Sequence, residues 1–321
     1  MRKATSFINF SRPILRARFV AVAVILVSMM IAPKIVVGAE GDHPVSANVV
    51  TLTAQADAGD ADAQFQLGVL GLGNRLGNKG RLDAINRLSM AADAKHNGAA
   101  YVLGMLYVRG VLVDRDPVRG AGYLKAAADR GDPRSKNSLA ILMLRGDGVE
   151  KDPAAAIALL NASASAGFAE AQTNLGLLYL RGDNVPRDEA RGAELVRQGA
   201  IAGPSDSQYN YGWVLETGTG VVEDPASARS WYERASERGS TAAQFNLAVM
   251  LLRNTPSARD SITGLKWLLV VSRSGDPALR ERAESIVPAV AGKMSQDDIK
   301  QSSRAALNFL NRPSSMMSSS R

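Results

Sequence analysis

The chain has 321 residues, 46% of them hydrophobic but only 5% aromatic, and a formal net charge of +7. It contains no cysteine, which excludes disulfides, thiolate metal sites and a cysteine nucleophile. The basic excess is local: residues 1–39 hold Arg2, Lys3, Arg12, Arg16, Arg18 and Lys34 and no acid, leaving 32 basic against 31 acidic residues in the rest, too even a balance for phosphate binding by the main body.

Residues 1–39 read as an export signal. A basic start precedes an uncharged apolar run of 14 residues, Phe19 to Ala32, and Val37-Gly38-Ala39 offers a cut before Glu40. The run is shorter than the roughly 20 residues of a membrane span. Uncut, the segment from Phe19 to Gly38 serves instead as an N-terminal anchor. Both readings put the body outside the cytoplasm, because the positive flank stays inside, and the compartment expected is a bacterial periplasm or, for the uncut form, the periplasmic face of the inner membrane. Residues 40–58 read as a flexible lead, Glu40 to Asn48, and a lone capping helix, Val49 to Ala58.

From 59 to 274 the chain divides into six units of 36 residues. Gly131, Gly167, Gly203, Gly239 and Gly275 mark the period, with Gly59 and Lys95 in the same register. A fixed period of this size is the mark of a helical-repeat array. With the first residue of each unit as position 0, position 8 is Leu or Tyr (Leu67, Leu103, Leu139, Leu175, Tyr211, Leu247) and position 9 is Gly or Ala. Position 15 is Gly or Asn, as the left-handed end of a helix requires. Asp116-Pro117, Asp152-Pro153 and Asp224-Pro225 place a cap and a first-turn proline at positions 21 and 22. Each unit therefore reads as a first helix, a loop and a second helix, with the small residue at position 9 allowing close approach. In the first unit the loop is expected over the Gly-rich stretch Gly71 to Arg81, which lacks the phosphate-loop pattern. Trp231 and Trp267, both at position 28, are expected in the core between units. Gln64, Gln172, Gln208 and Gln244 at position 5, and Asn174, Asn210 and Asn246 at position 7, are expected to hydrogen-bond between repeats.

Residues 275–312 read as C-terminal capping helices. One starts at Pro277 and ends near Val287, where Pro288 interrupts it. The other runs from Ile299 to Leu310 behind a Ser295-x-x-Asp298 capping box, with Lys300, Gln301, Ser302, Ser303 and Arg304 as its polar outer face. Residues 313–321 read as a disordered tail.

No constellation points to catalysis. The two histidines, His43 and His96, lack metal-ligand spacing, and no G-x-S-x-G elbow exists. Paired carboxylates such as Asp297 and Asp298 sit at helix starts, where capping explains them. No catalytic residue, cofactor or metal site is expected, and the protein reads as non-enzymatic.

The segments EAQTNLGLLYLRGDNVPRDEARGAELVRQGA (170–200) and DSQYNYGWVLETGTGVVEDPASARSWYERASERG (206–239) resemble the Sel1-like repeat, a relative of the tetratricopeptide repeat. The resemblance covers about two thirds of the chain. It implies an all-α, right-handed α/α superhelical solenoid used for protein–protein contact, with first helices lining a concave groove. The absence of cysteine departs from the secreted members whose helix pairs are disulfide-stapled.

By that resemblance, positions 3, 6, 10, 13 and 14 face the groove. Arg109, Arg145, Arg181 and Arg253 at position 14 then form a ladder, and Tyr101, Tyr209, Trp213 and Phe245 supply aromatic anchors. Arg, Tyr and Trp are the residues that anchor interfaces, and an acidic or carboxylate-bearing segment suits the ladder. A second reading stays open: arginine in a last turn complements the helix dipole, and the aromatics pack against the next unit. The function expected is an exported interaction scaffold or regulator at the bacterial cell envelope, with an envelope signalling protein among the candidate partners. The alternatives are a peptidoglycan- or polysaccharide-binding module that stacks sugars on Trp213 and Tyr209, or a secreted host-interaction factor. No nucleic acid or small-molecule cofactor is expected, and membrane contact only through an uncut N-terminal segment.

Overall fold

A computed structural model describes residues 44–73, 77–253, 256–273 and 276–312. The export segment 1–39, the start of the lead, the tail 313–321, Asn254 and Gly275 lie outside the described residues. Among the described residues the elements are fifteen helices: α1 (Pro44–Asp57), α2 (Ala61–Leu72), α3 (Gly77–Asp93), α4 (Asn97–Arg109), α5 (Pro117–Asp129), α6 (Pro133–Arg145), α7 (Pro153–Ser165), α8 (Ala169–Arg181), α9 (Glu189–Ala202), α10 (Ser205–Thr217), α11 (Pro225–Glu237), α12 (Thr241–Leu251), α13 (Ala258–Arg273), α14 (Pro277–Ala291) and α15 (Gln296–Leu310). The chain is an all-α helical repeat solenoid. It divides into two compact units, Met1–Tyr123 and Leu124–Arg321, with the division inside α5.

In the first unit α2 packs between α1 and α3, and α3 packs on α4. The core comprises Phe65, Val69, Leu72, Leu88, Leu103, Leu106 and Tyr107. The expected loop from Gly71 to Arg81 is shorter than that, because α2 runs to Leu72 and α3 starts at Gly77. Gly71 serves packing instead: a Cβ on it would lie 2.6 Å from Ala84 Cβ and 2.8 Å from Gly80 O. The capping helix α1 likewise starts at Pro44, inside the expected lead, where proline fits a first helical turn.

In the second unit α6 to α14 pack in sequence as first and second helices, and α15 returns onto α13. The local causes recur along the chain, in both units. Asp116, Asp152, Asp188 and Asp224 each accept a hydrogen bond from the backbone N–H three residues on, capping the second helices. The loop before each cap is closed by the aspartate N–H donating to a first-helix carbonyl: Asp116 to Tyr107 O, Asp152 to Met143 O, Asp188 to Tyr179 O and Asp224 to Leu215 O. The first helices α4, α6, α8 and α10 end on left-handed glycines at position 15. Position 29 is buried in every repeat: Leu88, Leu124, Leu160, Val196, Tyr232 and Leu268 are all 1% exposed or less. Opposite it lies the small residue of position 9. A Cβ on Gly176 would approach Gly192 O to 2.7 Å, so a side chain there forces the helices apart.

Adjacent repeats are joined by polar bonds as well. Gln64, Gln172 and Gln244 donate from Nε2 to second-helix carbonyls eight residues back, Ala56, Ala164 and Ser236. Gln208 is buried as well, and Oε1 is left without a partner in both Gln64 and Gln208. Thr173 Oγ1 bonds Ser207 Oγ at 2.8 Å, and Asn174 Nδ2 donates to Asn137 Oδ1 at 2.9 Å. Asn210, by contrast, bonds within its own helix, to Asp206 O.

Three expectations are corrected, two of them in the C-terminal cap. Helix α14 continues through Pro288 to Ala291 rather than ending near Val287. Pro288 and Glu284 are both exposed, so water can take the carbonyl that the proline leaves unpaired. Ser302 is buried rather than part of the outer face, with its hydroxyl on Ile262 O and Asp298 O. Trp231 is not core; it lines a surface recess of ≈ 230 Å³ with Ser230 and Arg234. The capping box does form, with the Asp298 N–H on Ser295 Oγ at 3.1 Å.

Candidate functional site

Within the second unit the first helices α6, α8, α10, α12 and α14 approach their successors directly, to within 8 Å between Cα atoms. They therefore share one face, and residues eight positions apart on it are separated by about 12 Å along each helix. Of the residues assigned to a binding face, Tyr101 and Arg109 lie in the first unit. Tyr101 is partly buried against that unit's core, and Arg109 is exposed in the last turn of α4.

In the second unit the arginines of position 14 have different surroundings. Arg145 is exposed at the end of α6 and makes no ion pair among the described residues. Arg181 is exposed at the end of α8, 4.0 Å from Asp183. At the end of α10 the register holds Thr217, whose hydroxyl bonds Trp213 O. Arg253 pairs with Glu216 Oε1 at 2.9 Å. The expected uniform ladder is thus two solvent-facing cations, a gap, and a third cation held by a carboxylate.

The aromatic residues also separate. Tyr209 and Trp213 are partly buried against the core, and the Tyr209 ring lies 5.8 Å from that of Tyr232. Burial pushes the Tyr209 phenol above its ordinary pKa. Phe245 is 2% exposed and belongs to the core rather than to a surface anchor. The reason lies in α14: the Arg282 guanidinium sits 4.6 Å from the Phe245 ring centroid and covers it.

That covering arginine marks a feature missed from the sequence. Glu216, Phe245, Asn246, Val249, Arg253 and Arg282 line a shallow recess of ≈ 150 Å³ between α10, α12 and α14. Phe245, Val249, Glu216 and Arg253 occupy positions 6, 10, 13 and 14, which the resemblance to the Sel1-like repeat implies for the groove. Arg282 and Asn246 fall at position 7. Counting on from Gly275 reaches Arg282, but the change of pattern after 275 ended the register there. Among the described residues no group of three or more His, Asp or Glu side chains is arranged to hold a metal. No described helix is long and apolar enough to cross a membrane.

Comparison with known proteins identifies the architecture. The Sel1 repeat model matches residues 98–132, 133–168, 169–204, 205–240 and 241–270. The first helix pair, α2 and α3, precedes the matched range. A protective antigen present in uropathogenic Escherichia coli strains, with an SLR fold, is 25% identical with a TM-score of 0.61, over 81% of this chain and 56% of the antigen. The chain thus spans little more than half of that relative's length. A Sel1 repeat protein from Oxalobacter formigenes is 23% identical with a TM-score of 0.56, over 75% of this chain and 99% of that protein. No curated protein matches the chain. Five consecutive repeats, together more than half of its residues, make the chain a member of the Sel1 repeat family.

Proposed function

We propose that the protein is an exported, non-enzymatic scaffold of the bacterial cell envelope that binds a partner protein on the first-helix face of its second unit. Sel1 repeat proteins are generally protein–protein interaction scaffolds. The observation that carries the reading here is the shared face of α6 to α14, on which Arg145 and Arg181 stand exposed beside the partly buried Tyr209 and Trp213. Arg, Tyr and Trp are the residue types that anchor interfaces, and the half-buried aromatics lose little conformational entropy on binding. The N-terminal pattern of a basic start, a 14-residue apolar run and Val37-Gly38-Ala39 supports export.

The test is in-cell crosslinking and capture with a tag after Arg321, comparing wild type with a variant carrying Arg145→Glu and Arg181→Glu. Both side chains are exposed, so the variant keeps its helical content by circular dichroism. The expected result is one envelope protein captured by wild type and lost from the variant. Equal capture by both would sink the assignment of the face. Binding of muropeptides or glycans, abolished by Trp213→Ala in a folded protein, would replace the scaffold by a sugar-binding module.

A further inference from the structure

The recess between α10, α12 and α14 is more organised than a general contact surface requires. Glu216 lies at its floor, with a side chain 17% exposed, and pairs through Oε1 with Arg253, which is 58% exposed. Its other oxygen, Oε2, accepts a hydrogen bond from the Tyr232 hydroxyl at 2.8 Å. Burial, reinforced by the Glu216 charge, holds the Tyr232 phenol far above its ordinary pKa. The hydroxyl therefore keeps its proton and acts as the donor. Asn246 Nδ2 donates in turn to the Tyr232 oxygen at 3.5 Å. The carboxylate is fixed from below and so aims an exposed guanidinium outward.

Arg282 is held by a different means. It lies over a ring that is itself fixed in the core, and it makes no ion pair among the described residues. A guanidinium stacked on an aromatic face leaves its edge N–H groups available, in the planar fork that matches a carboxylate. Two guanidinium groups and one carboxylate leave the recess one negative charge short of neutrality.

We propose that this recess receives a carboxylate from an acidic segment of the partner protein, with Arg282 and the outward edge of Arg253 as donors. The proposal rests on the scaffold reading and specifies the chemistry of its partner. Charge complementarity selects the occupant: one carboxylate neutralises the recess, and a planar two-oxygen acceptor fits the guanidinium edge better than a point charge does. Val249, beside the pair, favours an apolar residue next to the acid. The carboxylate can come from an Asp or Glu side chain or from a chain terminus.

The experiment uses the full chain and a displayed library of random octapeptides with free C-termini. Enriched peptides are then measured singly by fluorescence anisotropy. The expected result is enrichment of peptides with Asp, Glu or an essential terminal carboxylate, and affinity that falls with added salt. Arg282→Gln weakens binding by about tenfold or more, the scale of a lost charge-assisted hydrogen bond. Arg282→Lys restores only part, because it keeps the charge without the fork. Amidated peptides and Glu→Gln peptides tell the two sources of carboxylate apart. Arg197→Gln, on α9 and paired with Glu194, leaves binding unchanged. Binding indifferent to Arg282→Gln, enrichment without acids, or no enrichment at all overturns the proposal. Peptides that lose affinity in the Arg145→Glu, Arg181→Glu variant but not in Arg282→Gln would remove the recess and leave the scaffold reading standing. No peptide bound and no partner crosslinked would remove both.

Discussion

Trp231 and Trp267 occupy the same repeat position, in consecutive second helices, and have opposite surroundings. Trp267 is 2% exposed and meets Phe309 of α15 edge-on, with ring centroids 4.9 Å apart. Trp231 lines an open recess, touched by Tyr211 edge-on at 5.3 Å and by Arg234. What differs is the neighbour. Helix α15 packs onto α13 and covers its outer side, and among the described residues no corresponding helix packs onto α11. A periodic sequence thus determines which residues face inward within a repeat, whereas the end of the array determines what happens to the outward ones.

The contrast is open to direct tests. Trp267→Ala should cost about 3–5 kcal/mol in urea unfolding, the range for an aromatic truncated in a core. Removing the cover instead, by Phe309→Ala, should cost about 3 kcal/mol and admit acrylamide to Trp267. If quenching is unchanged, α15 is not what buries Trp267. Gly176→Ala probes the repeat interior, where a methyl meets the Gly192 carbonyl; the expected loss is about 1–3 kcal/mol. Trp231→Ala should cost only about 1 kcal/mol, the scale of one edge-to-face contact. A loss equal to that of Trp267→Ala would erase the distinction. The smallest effect is expected at Lys95, which adopts φ 65° where Gly59, Gly131, Gly167 and Gly239 also have positive φ. Lys95→Gly should raise stability by about 0.5–1 kcal/mol, since relief of the left-handed strain outweighs the added freedom of the unfolded chain.

The periodicity carried most of the architecture. Position 29 was buried in every unit, position 15 ended four first helices on left-handed glycine, and the aspartates of position 21 capped as their spacing demanded. Each of these depends on contacts within one repeat, where register alone decides them. The errors fell where a neighbour outside the repeat decides. Trp231 shares its repeat position with Trp267 and by that alone belongs in the core, but sequence position carries no record of α15. Phe245 sits at a groove position in its repeat, but Arg282, which lies over its ring, belongs to the cap beyond the last repeat. Ser302 looked polar and outward, yet its hydroxyl could be buried because two carbonyls were waiting for it. Pro288 signals a helix end in sequence, yet a proline on an exposed helix surface leaves only a solvent-accessible carbonyl behind and the helix continues.

The central claim is that the first-helix face of the second unit meets the partner. Site-specific photo-crosslinking in cells tests it most directly. A photoreactive residue is placed in turn at Arg145 and Arg181 on first helices, and at Lys125 and Arg197 on second helices, all four of them exposed. A crosslink to one discrete envelope protein is expected from Arg145 and Arg181, and none from Lys125 or Arg197. Crosslinks confined to the second-helix positions, or equal from all four, would contradict it.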